Sequence, residues 1–539
     1  MAKPKTPNQK RKYGELNKRL AKYVMLVESI YEDLNLEAAK IVGITDFTID
    51  SDRTFMWSDY PQTRKRIRDL QERFVEDIGS VIYSGTSEEW KNSNEVQDLL
   101  ANKVLQTYGA TIGKEKYEIL YQPNNDALKA FQQRKDKGFT ISDKLWNQST
   151  LYKQELEEAI SCAIQKGTSA ITLSNQISKY LLDFPQLQKD YKERFGKASR
   201  AMDCEYRSIR LAASEINMAY RQAENLRWQQ MDFVVGYEIK LSNNHTCNGK
   251  PFQDICDILA GKYPKDFQWT GWHPLCRCYK IPILKTEEEF WEWDGRNEAT
   301  TASVNEVKDV PDAFKKWVLD NQERISTAKK RNTLPYFLRD NKSVYQKITV
   351  ESSISEIVKR ASSVGDEVQS IAERIAIKNG GYVTPINFKS TTSITRKVIT
   401  EGITPYDIKG AVRTTIIVPK SRIEDVLEEL YKTEGFLRLK RQKPESFMGY
   451  SGNIVNIRTT NGLTAEIQVN TERMIFAKER PEDAKRILGE KRWEEIHNET
   501  GMEGGLGHKY YEQWRILDKS SNEALKIVEK SIEYYSHFR

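Results

Sequence analysis

The sequence predicts a multidomain α+β protein: a mainly helical N-terminal region, a small β module rich in Cys and His, and a C-terminal α/β domain with a mixed sheet flanked by helices. Three observations predict this class. Apolar residues recur every three or four positions up to residue 230, Gly, Pro, Cys and His concentrate near residue 250, and helix and strand patterns alternate after residue 353. We expect four segments, at 1–144, 145–285, 286–352 and 353–539.

The composition excludes several classes of protein. Aromatic residues make up 10% of the chain, with 11 Trp, which is not the composition of a disordered protein. We find no apolar run long enough for a transmembrane helix and no secretory signal at the start, so we expect no membrane association. Six Cys in 539 residues exclude a disulfide scaffold and favour reduced thiols or metal ligands.

The positive charge is concentrated at the N-terminus. The net charge is +7, and the first twenty residues hold seven Lys or Arg and one Glu. Such a basic arm either contacts nucleic acid or an acidic protein surface, or is a solvated, disordered terminus. The remainder of the chain is nearly neutral and does not require a nucleic-acid partner.

The helical region carries three apolar stripes at helical spacing, over residues 16–34, 151–171 and 209–226. Stripes of this kind are packing faces and carry no chemistry. The character changes at residues 232–242, where Val, Ile and Tyr predict a strand. The segment 286–352 that follows the β module is predicted to form polar helices and a connector.

Four of the six Cys and two of the five His fall between His245 and Cys278. Thiolate and imidazole are ligands that Zn²⁺ prefers. Three interpretations remain open: a structural zinc site, reduced and packed Cys without metal, and a redox or catalytic role. We expect Cys276 and Cys278 to lie on one face of a strand, since side chains alternate along it. The candidate metal ligands are Cys247, Cys256, His273, Cys276 and Cys278.

This cluster resembles the signature of the phage Mu F-like minor head proteins, also called the SPP1 gp7-like head morphogenesis family. The similarity covers about residues 145–345, including the preceding helix Arg210–Glu224 and the stretch Phe314–Ala328. The eight residues between Cys247 and Cys256 differ from the commoner Cys-x2-Cys start. The cluster residues that carry the resemblance are Thr246-Cys247, Cys256, Leu259, Gly261-Lys262, His273-Pro274, Cys276-Arg277-Cys278 and Pro282.

The resemblance implies a minor capsid component near the portal of a tailed-phage head. The partners would be portal and capsid proteins, and the basic N-terminal arm would be placed to contact phage DNA. The protein would then be found in the virion, and in the host cytoplasm during assembly.

The C-terminal part contains a predicted hairpin. The strands 453–459 and 464–469 flank an Asn-Gly turn at Asn461-Gly462, a strong hairpin signal. Glu466 and Gln468 share one face of the second strand, where a carboxylate can hold Mg²⁺ together with substrate phosphates. The alternative is an ordinary polar face of a half-exposed strand.

The motifs around this hairpin resemble the RelA/SpoT nucleotidyltransferase family, over about residues 355–530. The family pattern begins with a Lys-Ser helix start, continues through an Asp-containing turn, a basic strand, Gly-Tyr and Glu-Ile-Gln, and ends with a late His. Asn387 replaces an Arg of the pattern, and Gly410 rather than Asp407 aligns with its Asp. The matching residues are Lys389, Ser390, Ser393, Ile394, Lys397, Gly449-Tyr450, Glu466-Ile467-Gln468, Thr471 and His508.

This second resemblance implies transfer of a pyrophosphoryl group from ATP to a ribose 3′-hydroxyl. Glu466 would bind Mg²⁺ or accept the hydroxyl proton, with Asp407 as a further candidate catalytic carboxylate, and Tyr450 would stack on the acceptor base. The implied phosphate-binding and other substrate-binding residues are Lys389, Ser393, Lys397, Arg413, Arg438, Lys440, Gln468 and His508.

The sequence therefore predicts a phage minor head protein whose C-terminal domain is an effector or toxin acting on a nucleotide or on the tRNA 3′ end. Two alternatives remain. The first is a purely structural head protein with an inactive RelA/SpoT-like domain, and the second is a toxin of the host cytoplasm without a role in the virion.

Overall fold

The protein forms two compact units, Met1–Tyr345 and Gln346–Arg539. Both combine helices with β-sheet, which confirms the predicted multidomain α+β class. None of the helices described here is long and apolar enough to cross a membrane. The computed structural model describes residues 4, 6–44, 53–163, 170–242, 246–247, 250–251, 253–291, 303–401, 403–443, 447–515 and 517–539.

The described part of the first 230 residues is mainly helical, as the apolar stripes predict. Their buried faces meet in a core that contains Val27, Phe74, Leu145 and Leu156. Burial of such side chains contributes about 1.5–3 kcal/mol each. The helices are α1 (Gln9–Ile44), α2 (Arg64–Tyr108), α3 (Lys114–Leu120), α4 (Asn125–Gln133), α5 (Ile141–Ala163), α6 (Ala170–Leu182), α7 (Phe184–Phe195) and α8 (Cys204–Gln230).

Helix α8 is the central helix of this unit. The side chain of Asp203 accepts a hydrogen bond from the backbone N–H of Tyr206 and so caps its first turn. Gly85 of α2 allows the two helices to approach closely, because a β-carbon there would lie 2.5 Å from Cδ1 of Ile216. A larger residue at position 85 would force the Ile216 side chain or one of the two helices to move.

The basic arm is folded from Gln9 onward, because α1 already begins there. Tyr13 and Leu16 are buried, and the Tyr13 hydroxyl donates a 2.6 Å hydrogen bond to the Glu224 carboxylate on α8. The expectation of a disordered terminus is therefore wrong for the residues that follow Asn8. The physical reason is that Tyr13, which precedes the predicted stripe, and Leu16, its first residue, are both buried.

A small β module follows α8. It contains an antiparallel sheet in the order β4-β1-β5, with a separate pair formed by β2 and β3. The strand predicted at residues 232–242 is confirmed as β1. The elements are β1 (Val234–Lys240), β2 (Thr246–Cys247), β3 (Lys250–Pro251), α9 (Ile255–Leu259), β4 (Gly261–Tyr263) and β5 (Tyr279–Leu284).

One expectation about this module is wrong. Cys276 and Cys278 precede β5 instead of lying on a strand. Their backbone carbonyls accept hydrogen bonds of 2.7 and 2.8 Å from the Arg221 guanidinium. A side chain of α8 thus makes the hydrogen bonds that a neighbouring strand would make in a sheet.

Short helices then pack an aromatic cluster against the module. The ring centroids of Trp272 and Phe337 lie 5.1 Å apart, and those of Phe267 and Phe314 lie 5.4 Å apart. The short helices of this segment are α10 (Glu287–Trp291), α11 (Asp312–Asp320), α12 (Gln322–Lys330) and α13 (Tyr336–Arg339). The longer helix α14 (Lys342–Ser363) follows, and the boundary between the two units falls within it.

The second unit alternates helices and strands and ends in a group of helices. Its elements are α15 (Gly365–Lys378), β6 (Tyr382–Val383), β7 (Asn387–Phe388), α16 (Thr391–Glu401), β8 (Val412–Ile417), α17 (Ile423–Tyr431), β9 (Phe436–Gln442), β10 (Gly452–Arg458), β11 (Thr464–Asn470), α18 (Glu472–Lys478), α19 (Pro481–Leu488), α20 (Glu490–Thr500), α21 (Leu506–Arg515) and α22 (Asn522–Ser536).

The sheet of this unit is mixed and has the order β6-β8-β11-β10-β9, with β7 also paired to β8. Strands β8 and β11 are parallel, and the other pairs are antiparallel. The predicted hairpin is confirmed by β10 and β11, whose turn is closed by a 2.8 Å bond from the Gly462 N–H to the Thr459 carbonyl.

The two faces of β11 have different roles. Ile467 and Val469 are buried in the core that includes residues of α15 and α17. Glu466, Gln468 and Asn470 alternate with them and point to the opposite face. Helices α18, α20 and α22 form a separate apolar cluster that contains Met474, Phe476, Ile496 and Tyr534. The polar side chains of Glu466, Gln468 and Asn470 therefore lie on the face of the sheet away from the main core.

Candidate functional site

The Cys/His cluster assembles in the first unit. The Cys256 sulfur lies 3.1 Å from Nε2 of His273 and 3.9 Å from the sulfur of Cys276, and the Cys256, Cys276 and Cys278 sulfurs all lie within 4.8 Å of one another. Ligands bound to zinc at about 2.3 Å in a tetrahedron are separated by similar distances. The Cys247 side chain lies outside the described residues.

The surroundings of the cluster orient it as a ligand set. Nδ1 of His273 is 2.7 Å from the Pro274 carbonyl, so this nitrogen carries the proton and leaves Nε2 as an acceptor facing Cys256. The Asp254 carboxylate lies 3.4 Å from the same Nε2. The five described Cys are all free thiols, which agrees with the expectation of no disulfides. The side chains of Cys256, His273, Cys276 and Cys278 fit the Cys₃His set of a structural zinc site.

The second unit holds a row of polar residues that crosses the sheet from strand to strand. The register pairs Asn387 with Arg413, Arg413 with Glu466, Glu466 with Asn456, and Asn456 with Arg438. Residues paired in this way point to the same face. Two of the three central residues, Glu466 and Arg413, were predicted from the sequence, whereas Asn456 was not.

Glu466 lies at the centre of this row. One of its oxygens accepts a 2.7 Å hydrogen bond from the Gln468 side-chain amide. Its other oxygen faces Gly410, where a β-carbon would lie only 2.9 Å away. Gly410 has a left-handed φ of +71°, which glycine adopts at no steric cost. The position that aligns with an Asp in the RelA/SpoT pattern is thus in contact with Glu466 and has no side chain.

Asp407 does not replace that side chain in this structure. It ends a short 3₁₀ turn, is exposed, and accepts a 2.8 Å hydrogen bond from the Thr404 hydroxyl. In the described part of the chain, Glu466 belongs to no group of three or more carboxylate, His or Cys ligands. The arrangement therefore offers one carboxylate at this point.

Gln468 connects the row to α18. Its side-chain carbonyl accepts a 3.0 Å hydrogen bond from Nζ of Lys478, which also forms a 2.9 Å ion pair with Glu479. The side chains of Lys478 and Glu479 are 29% and 31% exposed, so solvent reaches both. Neither residue was predicted from the sequence, because Lys478 at the end of α18 and Glu479 directly after it belong to no recognisable motif.

The charges around Glu479 affect its ionisation. Burial favours its neutral form, but the charge and hydrogen bond of Lys478 hold the pKa of Glu479 below its ordinary value, with Arg413 and His508 adding to the effect. His508, near the start of α21, therefore lies within electrostatic reach of the row. Its Nε2 is buried without a hydrogen-bond partner. The predicted Arg413 and His508 thus converge on the same region.

The predicted phosphate-binding residues flank the row on one side. The backbone N–H of Lys389 donates to the Ala411 carbonyl, and the side-chain Nζ of Lys389 lies 3.4 Å from the Lys409 carbonyl. Lys409 and Ala411 are the two neighbours of Gly410 in the chain. The Ser390 hydroxyl accepts from the Ser393 N–H and caps α16, the helix that also carries Lys397. Lys389 is thereby placed close to Glu466.

The remaining predicted residues lie on β9 and just before β10. Arg438 donates a 2.8 Å hydrogen bond to Asn456, and Lys440 is exposed on the edge strand β9. Tyr450 is half-buried; its hydroxyl accepts a 2.7 Å hydrogen bond from Asn470, and its ring packs edge-on against Tyr535. Stacking of Tyr450 on an acceptor base stays a prediction.

Comparison with known proteins identifies a relative for part of this chain. No protein-family model matches it. The chain is similar to the (p)ppApp synthetase toxin Tas1 of Pseudomonas aeruginosa (strain UCBPP-PA14), with 35% identity over 181 residues, which are 33% of this chain and 41% of the toxin. The chain thus spans less than half the length of this relative.

Among solved structures, the chain is similar to the complex between the Type VI effector Tas1 and its immunity protein. The identity is 35%, the match covers 35% of this chain and 97% of the other, and the TM-score is 0.33. The sequence similarity to the toxin supports a RelA/SpoT-like domain in this chain. The resemblance of residues 145–345 to phage head proteins stays a prediction.

Proposed function

We propose that the second unit transfers a pyrophosphoryl group from ATP to the ribose 3′-hydroxyl of a nucleotide. The observation that carries this proposal is the row Arg413–Glu466–Asn456–Arg438, which sets one carboxylate between two guanidinium groups on an accessible face of the sheet. The similarity to a (p)ppApp synthetase toxin supports it.

The reaction requires one proton acceptor and several positive charges. The 3′-oxygen attacks the β-phosphorus of ATP, the bond from that phosphorus to the bridging oxygen of the α-phosphate breaks, and AMP leaves. The hydroxyl proton passes to a carboxylate of Glu466, which Gln468 holds in place. Such transfers depend mainly on positioning and charge neutralisation.

The basic residues supply that neutralisation. Lys389 lies beside Gly410 and Glu466, Lys397 is on α16, and Arg413 and Arg438 flank Glu466 across the sheet. Arg guanidinium groups bind phosphate oxygens bidentately, whereas Lys provides a point charge. We assign the triphosphate to the side of Lys389 and Lys397, and the acceptor to the side of Arg438 and Tyr450.

A Mg²⁺ ion fits the donor set. Mg²⁺ is usually held by one or two carboxylates together with substrate phosphates, and Glu466 offers one half-buried carboxylate on the face of the sheet away from the main core. When bound there, the ion would neutralise negative charge on the transferred phosphates.

The acceptor that we propose is an adenine nucleotide, because the relative is named as a (p)ppApp synthetase toxin. Guanine nucleotides and the tRNA 3′ end present the same hydroxyl, and they are the competing outcomes of the test. By the same similarity, we propose that the protein acts as a toxin-like effector.

The experiment is a transfer assay with the full-length protein. ATP labelled at the β-phosphate would be incubated with Mg²⁺ and, separately, with ADP, GDP, GTP and bulk tRNA. We expect label on the adenine nucleotide, and a loss of about 10²–10⁴-fold in Glu466→Gln, the range for removal of a general base. Label on no acceptor would favour an inactive RelA/SpoT-like module.

For the first unit we propose the role of a minor head protein with a structural zinc site. Two stretches of the phage head signature are in direct contact, because Arg221, on the helix of that signature, donates to the Cys276 and Cys278 carbonyls. Mass spectrometry of purified virions would test this role. Absence of the protein from virions that form normally would leave the alternative of a cytoplasmic toxin.

A further inference from the structure

The Lys478 side chain is linked to the candidate catalytic carboxylate through a single amide. Nζ of Lys478 donates to the Gln468 side-chain carbonyl at 3.0 Å, and the NH₂ group of the same amide donates to Glu466 at 2.7 Å. The three side chains come from the end of α18 and from two alternate positions of β11. They form a continuous chain of donors and acceptors.

The donors and acceptors present determine the orientation of each hydrogen bond from Lys478 through Gln468 to Glu466. A lysine ammonium only donates hydrogen bonds, so the Gln468 amide must turn its oxygen toward Lys478. Its NH₂ group then faces Glu466 and donates to the carboxylate. Without the ammonium, the amide is free to turn over and present its oxygen to Glu466, where two acceptors repel each other.

Lys478 is itself held in place. Glu479 forms an ion pair with it at 2.9 Å, and the Tyr450 ring centroid lies 5.8 Å from Nζ. Burial favours the neutral amine, but Tyr450 and Glu479 raise the pKa of Lys478 above its ordinary value, so the ammonium remains charged at neutral pH. Lys478 is therefore a hydrogen-bond donor to Gln468 at neutral pH.

We propose that Lys478 is a positioning residue for the transfer reaction, and that it orients Glu466 through the amide of Gln468. The proposal rests on the proposed function of Glu466 as proton acceptor. Lys478 is not assigned as a catalytic residue, because its hydrogen bonds go to Gln468 and Glu479 and not to Glu466.

The kinetic test compares three variants with the wild type. Lys478→Met should lower kcat of pyrophosphoryl transfer by about 10- to 100-fold, as is typical when a partner that orients a functional group is lost. The KM for ATP should stay the same. Lys478→Arg should recover most of the rate, since it keeps a donor, and Lys526→Met, on the exposed surface of α22, should have no effect.

Three kinetic results would overturn the proposal. These are an unchanged kcat in Lys478→Met, no rescue by Lys478→Arg, and a rise in the KM for ATP without a change in kcat, which would instead make Lys478 a phosphate-binding residue. Thermal unfolding of each variant shows whether a loss of rate reflects a loss of fold.

A second measurement does not depend on activity. Crystal structures of the full-length wild type and of Lys478→Met should show the Glu466 carboxylate bonded to Gln468 in the first and moved out of hydrogen-bond distance in the second. An unchanged contact would refute the positioning role. If the wild type transfers no label, the proposed function fails, and these structures still decide whether Lys478 orients Glu466.

Discussion

The Cys/His cluster and the Glu466 row both gather polar side chains from segments that are distant in sequence, but their surroundings differ. Cys256, Cys276 and Cys278 are about 1% exposed, and the fully buried Arg221 closes the loop that carries two of them. Around Glu466, the side chains of Asn456 and Gln468 are buried, but Glu466 and Arg413 are half-buried, Arg438 is exposed, and the neighbouring Lys478 and Glu479 remain about 30% exposed.

This difference separates a structural site from a site that can meet a substrate. A zinc ion held by four protein ligands has no open position and contributes to folding. A carboxylate on an accessible sheet face, between two guanidinium groups, leaves room for phosphates. The buried thiols of the first unit fit a structural role, whereas the partly solvated groups of the second unit fit the chemistry proposed for it.

The largest expected effect is loss of the metal from the first unit. The purified protein should contain about one zinc per chain, and removal by a chelator or by Cys276→Ser should unfold the β module, since structural zinc contributes up to roughly 10–16 kcal/mol to folding. Metal analysis and thermal unfolding measure both effects. Cys162→Ser, at a buried thiol on α5, is the control and should keep its zinc.

A protein that is free of metal, keeps the same melting temperature and does not respond to the chelator would refute this prediction. The cluster would then be a set of packed thiols, and the contrast with the Glu466 row would rest on burial alone.

The next effect concerns a buried ion pair in the same unit. Lys280 and Glu224 are fully buried and lie 3.3 Å apart, and burial lowers the pKa of Lys280 to about 8. Lys280→Met should cost about 3–5 kcal/mol, because it leaves an uncompensated buried carboxylate. The double variant Lys280→Met/Glu224→Gln should recover part of this loss in urea unfolding. Equal stability of the single and double variants would show that the carboxylate is not the cause.

The sequence predicted the parts of the site that lie on one element and not the contacts between elements. Glu466 and Gln468 were assigned to one face because alternation on a strand requires it, and the Asn461-Gly462 turn placed β10 beside β11. Lys478 and Asn456 were missed, since their contribution depends on where α18 packs and on the register of β10. No local pattern contains that information.

The same limit applies to the first unit. Spacing alone suggested Cys256, His273, Cys276 and Cys278, and these four converge. The alternation rule that placed Cys276 and Cys278 on a strand failed because Arg221, about fifty residues earlier in the chain, bonds their carbonyls. Long-range hydrogen bonds of this kind become visible only in the folded structure.

A smaller effect comes from Glu155, a 4% exposed carboxyl group on α5. Burial raises its pKa from 4.5 to about 8, although hydrogen bonds from Cys204 oppose the shift. The folded state therefore keeps a proton that the unfolded state releases between pH 4.5 and 8. The contribution of Glu155 to stability is complete below pH 4.5 and is lost as the pH rises through about 8.

Glu155→Gln should remove this pH dependence. The variant should match the wild type near pH 4.5 and exceed it by a few kcal/mol above pH 8, measured as the free energy of unfolding in urea at each pH. Parallel stability profiles for the two proteins would mean that Glu155 is not protonated in the folded state.

The smallest expected effect on stability comes from a substitution of Gly410. It separates the cost of backbone strain from the effect of displacing the Glu466 carboxylate. Gly410→Ala places a β-carbon in a left-handed conformation, which costs about 1–2 kcal/mol, and also 2.9 Å from a Glu466 oxygen. Gly501→Ala is the matched control, because Gly501 has a φ of +64° and no atom within 4 Å of a β-carbon. Both variants should lose similar stability, but only Gly410→Ala should lose transfer activity, by about 10²-fold, since it displaces the carboxylate. If both variants keep full activity, a glycine beside the Glu466 carboxylate is not required, and the assignment of Glu466 as the proton acceptor loses its geometric support.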